Sequence, residues 1–321
     1  MRLRLLPTVL IAAGCGAAAD APKERVTIPA GATVRVVAES LAVHGVISSK
    51  RWFRLVARIG GYERKLRIGA YELPRGAGAL ASLRAIASGK AVLLRFTVPE
   101  GFTLLEIADA AARDLAIPRA ELLDAARDTT LLREFTIPTS SFEGFLRPET
   151  YLFAPGIGAA TLLRTMAQTF RDDWEPRWTE SAAAQGLDRL AVVTLASIVE
   201  GEAVLDDDRP LVAAVYRNRL RLGMPLQADP TVQYAIQLAT GRRKPRLYEK
   251  DYEFESPYNT YLHSGLPPGP VGAPSRKSID ATLNPAPVPY LYFVAGPDRR
   301  HIFSRTYAEH LRAVRRVQRG R

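Results

Sequence analysis

Two carboxylates separated by one glycine, Glu200 and Glu202, close the apolar run L-A-S-I-V-E-G-E-A at Leu195–Ala203. From Leu190 to Val199 nearly every side chain is apolar or small, so a helix here is greasy on all faces and belongs in a large core. Burial disfavours an ionised carboxyl and lifts its pKa toward neutrality, the form a general acid must hold near pH 7. Glu200, at the end of the run, is the leading catalytic residue on this ground. Its structural alternative is an ion pair with an arginine at the end of a core helix. Glu202 points elsewhere on the helix and has a comparable claim. Periodicity does not choose between them.

The elements that must position such a group come from a chain of 321 residues with 47% hydrophobic content, enough for a sizeable core and two or three domains. Net charge is +11, with arginines spread along the chain and one dense cluster at Arg312–Arg321. That balance suits a membrane face, a polyanionic wall polymer or nucleic acid. No RNA-recognition, zinc-finger or helix-turn-helix signature accompanies it, so nucleic acid is not expected. Residues 1–20 have a basic start at Arg2 and Arg4, an apolar stretch Leu5–Ala19 and small residues after it, which predicts an export signal or membrane anchor. Pro7 interrupts a stretch shorter than a usual span. Cys15, in I-A-A-G-C, is a weak lipidation context. It is the only cysteine, so no intramolecular disulfide exists. His44, His263, His301 and His310 form no metal-ligand pattern. Neither metal nor cofactor is expected.

An internal repeat at an offset of 70 residues matches V-T-I-P-A-G-A-T-V-R-V-V-A-E from Val26 to F-T-V-P-E-G-F-T-L-L-E-I-A-D from Phe96. Each copy reads as a strand, a Pro-x-Gly turn and a helix capped by Thr33 or Thr103. Between them the pattern predicts a helix over Ser49–Ile59, a strand over Lys65–Leu73 ending at Pro74, and a helix over Ala79–Ser88. The strand–helix–helix–strand order resembles LysM-like modules that bind N-acetylated glycans, with a plain spacer domain as the alternative. Further helices are predicted over Ala159–Asp172, Leu187–Ala203 and Pro210–Leu222. Asp229 before Pro230 reads as a helix N-cap. The segment Tyr248–Pro274 is too rich in proline and glycine for regular structure. Its aromatics, Tyr248, Tyr252, Phe254, Tyr258 and Tyr261, suit sugar stacking or ordinary loop packing.

Five stretches then occur in a fixed order: F-E-G-F-L-R-P-E-T-Y at Phe142–Tyr151, A-S-I-V-E-G-E-A at Ala196–Ala203, N-R-L-R-L-G-M-P-L-Q-A-D-P-T-V-Q-Y at Asn218–Tyr234, S-P-Y-N-T-Y with G-L-P-P-G-P between Ser256 and Pro270, and Y-L-Y-F-V-A with H-I-F-S between Tyr290 and Ser304. Together they resemble the YceG-like family of endolytic murein transglycosylases. The resemblance implies an α+β fold: a membrane anchor at 1–20, a LysM-like α+β module at 21–135, and a mixed α/β catalytic domain at 136–321 with a buried central helix and a long Pro/Gly/Tyr-rich loop. Ala228, Ala235, Gly201 and Ala273 depart from residues the family often carries.

The resemblance assigns the catalytic role to Glu200. It places Glu143, Asn218, Gln227, Asp229, Tyr234, Asn259 and Tyr261 around a substrate cleft. It implies cleavage of the β-1,4 bond between N-acetylmuramic acid and N-acetylglucosamine inside peptidoglycan glycan strands, leaving 1,6-anhydro ends and limiting nascent strand length. The implied partners are glycan strands, cell-wall synthesis proteins and the inner membrane, with the catalytic domain on its periplasmic or extracytoplasmic side. Two alternatives are a two-carboxylate hydrolase using Glu143 or Asp229, and an inactive wall-binding scaffold protein.

Overall fold

The computed structural model describes residues 21–29, 31–174 and 176–319. The expected anchor, Cys15 included, lies outside the described residues. Among the described residues no single helix is long and apolar enough to cross a membrane. The chain separates into two compact units. One holds the residues up to Arg95 with Leu152–Gly156, the other Phe96–Tyr151 with the residues from Ile157 onward. The larger unit thus takes in residues 96–135, which the sequence reading assigns to the N-terminal module.

In the first unit, β1 (Lys23–Ile28), α1 (Val34–Val43), α2 (Lys50–Ile59), β2 (Gly69–Pro74) and α3 (Ala79–Ser88) follow one another. The order is the predicted one, with the second strand starting later than Lys65. β1 and β2 pair antiparallel, from Lys23 opposite Pro74 to Ile28 opposite Gly69. Alternation along them buries Val26, Ile28, Tyr71 and Leu73 against Val37 and Leu41 of α1, Phe53 and Ala57 of α2, and Leu83 and Ile86 of α3. Thr33 caps α1 by accepting from the Val36 N–H.

β3 (Leu94–Thr97) and β4 (Thr150–Phe153) pair. Between them lie α4 (Leu104–Leu115), α5 (Arg119–Ala125) and α6 (Thr129–Glu134). Thr103 and Glu106 form a reciprocal capping box at the start of α4. After β4 come α7 (Ala159–Asp173), α8 (Pro176–Ala184), α9 (Arg189–Glu202), α10 (Arg209–Arg221), α11 (Asp229–Thr240) and α12 (Arg276–Leu283), then β5 (Tyr292–Ala295), β6 (His301–Ser304) and α13 (Tyr307–Arg319). β5 and β6 form an antiparallel hairpin.

Helix α9 is the predicted buried element: every residue from Val192 to Val199 is buried. Asp188 caps it by accepting from the Ala191 N–H. One side meets Phe145, Phe170, Trp178 and Ile279, and another meets Val212, Tyr216, Leu226 and Tyr234. A glycine at 144 is obligatory in this packing. Its φ is +79°, and a Cβ there would fall 2.3 Å from Pro270.

Candidate active site

Residues two apart on an α-helix diverge by about 200°, so Glu200 and Glu202 leave α9 on opposite sides. Glu200 meets charge. Its Oε1 accepts from Arg209 Nη1 at 3.0 Å and its Oε2 from the Ser275 N–H at 2.8 Å. Arg209 also donates to Ser278 Oγ and, through Nε, to Asp206. The Glu200 and Arg209 side chains are 6% and 8% exposed. Since Ser275 caps α12, this carboxylate ties the end of α9 to the starts of α10 and α12. The ion pair that the sequence reading weighed beside a catalytic role for Glu200 is thus present in the structure.

Glu202 faces a cavity of ≈ 390 Å³ lined also by Tyr216, Arg219, Gln227, Asp229, Tyr261, Phe293 and His301. Tyr216 Oη donates to Glu202 Oε1 at 2.9 Å, and the Asp229 N–H donates to the same carboxyl. Burial, then the neighbouring Asp229 charge, push the Glu202 pKa up to about 7, against the lowering effect of those two hydrogen bonds. Arg219, which lines the same cavity, also lowers it, and among the described residues no ion pair engages Glu202. The burial that sequence patterning predicts for the end of this helix thus acts on the second glutamate.

Asp229 is the first residue of α11 and Ala228 its N-cap, with no side-chain capping bond. The capping account of the Asp-Pro pair is therefore overturned. Its carboxylate instead accepts from Tyr261 Oη at 2.7 Å and is also bonded to Tyr252. The backbone places it beside Glu202 by an unusually close approach: a Cβ on Gly201 would lie 2.7 Å from the Pro230 ring. Gln227 adopts φ +52°, an uncommon conformation for a residue with a side chain. Its N–H donates to Thr260 O at 3.0 Å.

Of the residues expected around the cleft, Gln227, Asp229 and Tyr261 line the cavity. The other four are turned to structural work. Glu143 accepts from the Leu104 N–H at the start of α4 and from Tyr234 Oη at 3.1 Å. Burial raises its pKa to about 7 as well. Tyr234 is committed to that bond and packs edge-on against Tyr258 with centroids 4.9 Å apart. Asn218 donates to Val288 O and Tyr290 O. Asn259 donates to Tyr252 O and Phe254 O while accepting from the Tyr261 N–H. In the aromatic loop, Tyr252 packs on Tyr261 at 4.5 Å, so these two rings support one another.

Sequence reasoning passed over Tyr216, Arg219, Phe293 and His301. Arg219 is buried and donates to Leu226 O and Leu291 O, holding the segment before α11 to the start of the hairpin. Phe293 and His301 face each other across β5 and β6 at 5.0 Å, and His301 Nδ1 lies 2.9 Å from Asp208. The Y-L-Y-F-V-A and H-I-F-S stretches were the available signal, because alternation in a hairpin sends every second residue to one face.

Fold and site together describe a mixed α+β protein whose larger unit builds a carboxyl-lined cavity at the end of a buried helix. The model of the YceG-like family matches residues 26–316. The endolytic murein transglycosylase of Bacillus subtilis is 32% identical over 304 residues, covering 90% of this chain and 83% of the relative. That of Streptococcus pneumoniae strain D39 is 29% identical over 297 residues, covering 84% of this chain and 54% of the relative. A crystal structure of a yceG-like protein from Listeria monocytogenes superposes with a TM-score of 0.63 at 30% identity, covering 91% of this chain and 99% of that one. The chain belongs to the YceG-like family.

Proposed function

We propose that this protein is an endolytic peptidoglycan transglycosylase, cleaving the β-1,4 bond between N-acetylmuramic acid and N-acetylglucosamine within glycan strands, and that Glu202 carries the proton. The observation behind the assignment is the position of the Glu202 carboxyl: half-buried on the cavity wall, next to Asp229, with its pKa pushed up to about 7. Protonated Glu202 donates to the glycosidic oxygen as the bond to the muramic C1 breaks. The resulting carboxylate then takes the proton of the muramic C6 hydroxyl as that oxygen bonds to C1, closing the 1,6-anhydro ring and restoring the acid. One carboxyl serves both steps, and water is not consumed.

The attacking hydroxyl belongs to the same sugar, so its effective concentration reaches roughly 10⁵ M or more in well-oriented cases. Asp229, held by Tyr261 and Tyr252, is the group positioned to face positive charge developing at C1. Glu200 is a positioning residue, fixing the last turn of α9 from the opposite side.

The finer features of the family go with this reading. Residues 1–20 anchor the chain at the inner membrane, the strand–helix–helix–strand module is LysM-like and contacts glycan, and the cavity works on the periplasmic side. Cleavage there limits nascent strand length, in company with cell-wall synthesis proteins. The test is digestion of purified peptidoglycan followed by mass spectrometry of the new ends. Anhydro ends that vanish with Glu202→Gln support the reading. Reducing ends 18 mass units heavier, as a hydrolase leaves by adding water, overturn it. Intact strands that bind wild type and variant alike would favour a scaffold.

A further inference from the structure

The net charge of this chain is located in one region. Residues 1–95 carry 16 Lys and Arg against 5 Asp and Glu, whereas residues 96–321 carry 28 of each. Within that basic region α2, K-R-W-F-R-L-V-A-R-I, holds four cations and no acid. Among the described residues, no ion pair engages Lys50, Arg51, Arg54 or Arg58, while elsewhere in the unit Arg25, Arg35 and Arg75 each pair with a glutamate. Helical spacing sorts the residues into three stripes. Phe53 and Ala57 are buried in the core. Arg51, Arg54 and Arg58 form a second, exposed stripe. Trp52, Leu55 and Ile59 form a third, beside the arginines, at 59%, 47% and 78% exposure.

We infer that the outward face of α2 docks on an anionic lipid bilayer. An arginine stripe beside an aromatic-aliphatic stripe is the pattern of a helix lying in the interfacial plane, where cations meet headgroups and apolar side chains enter the acyl boundary. A dissolved polyanion would use the arginines and leave Trp52, Leu55 and Ile59 in water. A bilayer uses both. Only Asp20, Ala21 and Pro22 separate the apolar stretch Leu5–Ala19 from β1, so a chain held by that stretch keeps this unit at the surface. The inference is independent of the catalytic reading.

The test is tryptophan quenching in the full chain reconstituted with brominated-lipid vesicles, either phosphatidylcholine alone or equimolar phosphatidylcholine and phosphatidylglycerol. The chain has three tryptophans, and Trp52→Phe removes the one on α2, leaving Trp174 and Trp178 as baseline. In anionic vesicles the wild type is expected to be quenched beyond Trp52→Phe, and Arg51→Ser/Arg54→Ser/Arg58→Ser to fall to the Trp52→Phe level. In neutral vesicles wild type and Trp52→Phe should match. Equal quenching of these two in anionic vesicles overturns the proposal, as does quenching of Trp52 that ignores phosphatidylglycerol. Retention on a soluble polyanion that the triple variant loses, with Trp52 unquenched throughout, assigns the face to a polymer and also overturns it.

Discussion

Glu200 and Glu202 stand two residues apart on the last turn of α9 in opposite surroundings: the first shares its oxygens between Arg209 and the Ser275 N–H, while the second accepts from Tyr216 on the wall of a cavity. The helix provides the divergence and the partners decide the chemistry. A carboxylate clamped by a guanidinium is a strut. A half-buried carboxyl beside another acid suits the proton-carrying role proposed for Glu202.

Glu202→Gln keeps a hydrogen-bond acceptor for Tyr216 and removes the titrating group. Cleavage of glycan strands, followed by release of anhydro-muropeptides, is expected to fall about 10²- to 10⁴-fold. The thermal midpoint should hold or rise, since a carboxyl that is costly to ionise has gone.

Glu200→Gln should do the reverse. Removing one partner of a buried ion pair costs about 3–5 kcal/mol, and the lower end applies because Arg209 keeps its bond to Asp206. Urea denaturation measures the loss. Activity remaining in the folded fraction should keep the pH dependence of wild type, which a proton carrier at position 200 would not allow.

The pH–rate profile should carry an alkaline limb near pH 7 in kcat/KM, because the acid must enter protonated and Glu202 titrates at about 7. Tyr216→Phe deletes a bond that favours the carboxylate, so the limb moves to higher pH. Asp229→Asn deletes a charge that opposes it, so the limb moves lower. Opposite displacements from two neighbours of one group identify that group.

Stability should follow the same groups. The carboxyls of Glu143 and Glu202 both have a folded pKa of about 7 against 4.5 for the ordinary glutamate. The native state therefore holds their protons more tightly. Their contribution is complete below pH 4.5, declines as pH rises, and is gone above about 7. Denaturation midpoints across this window test it, and Glu202→Gln should flatten part of the slope.

Gly144→Ala should destabilise the larger unit by at least about 2 kcal/mol, combining the left-handed backbone penalty with overlap on Pro270. A smaller loss would mean that the Pro270 segment yields easily.

Local chemistry was legible in the sequence wherever partners are close along the chain. Thr33 and Thr103 cap their helices as read, and α9 is buried along the expected run. The surroundings of the two glutamates were not legible, because they depend on distant groups: Ser275 comes from a loop far along the chain, and Arg209 and Tyr216 differ only by which side of α10 they occupy. Asp229 shows the same limit. Asp-Pro spells a cap locally, but Tyr261 and Tyr252 recruit the side chain.

With no side chain on Gly201, the Pro230 ring packs directly against its main chain and holds the first turn of α11 close to the end of α9. A bulkier residue at position 201, by pushing the start of α11 away, is therefore expected to weaken the influence of Asp229 on the proton of Glu202.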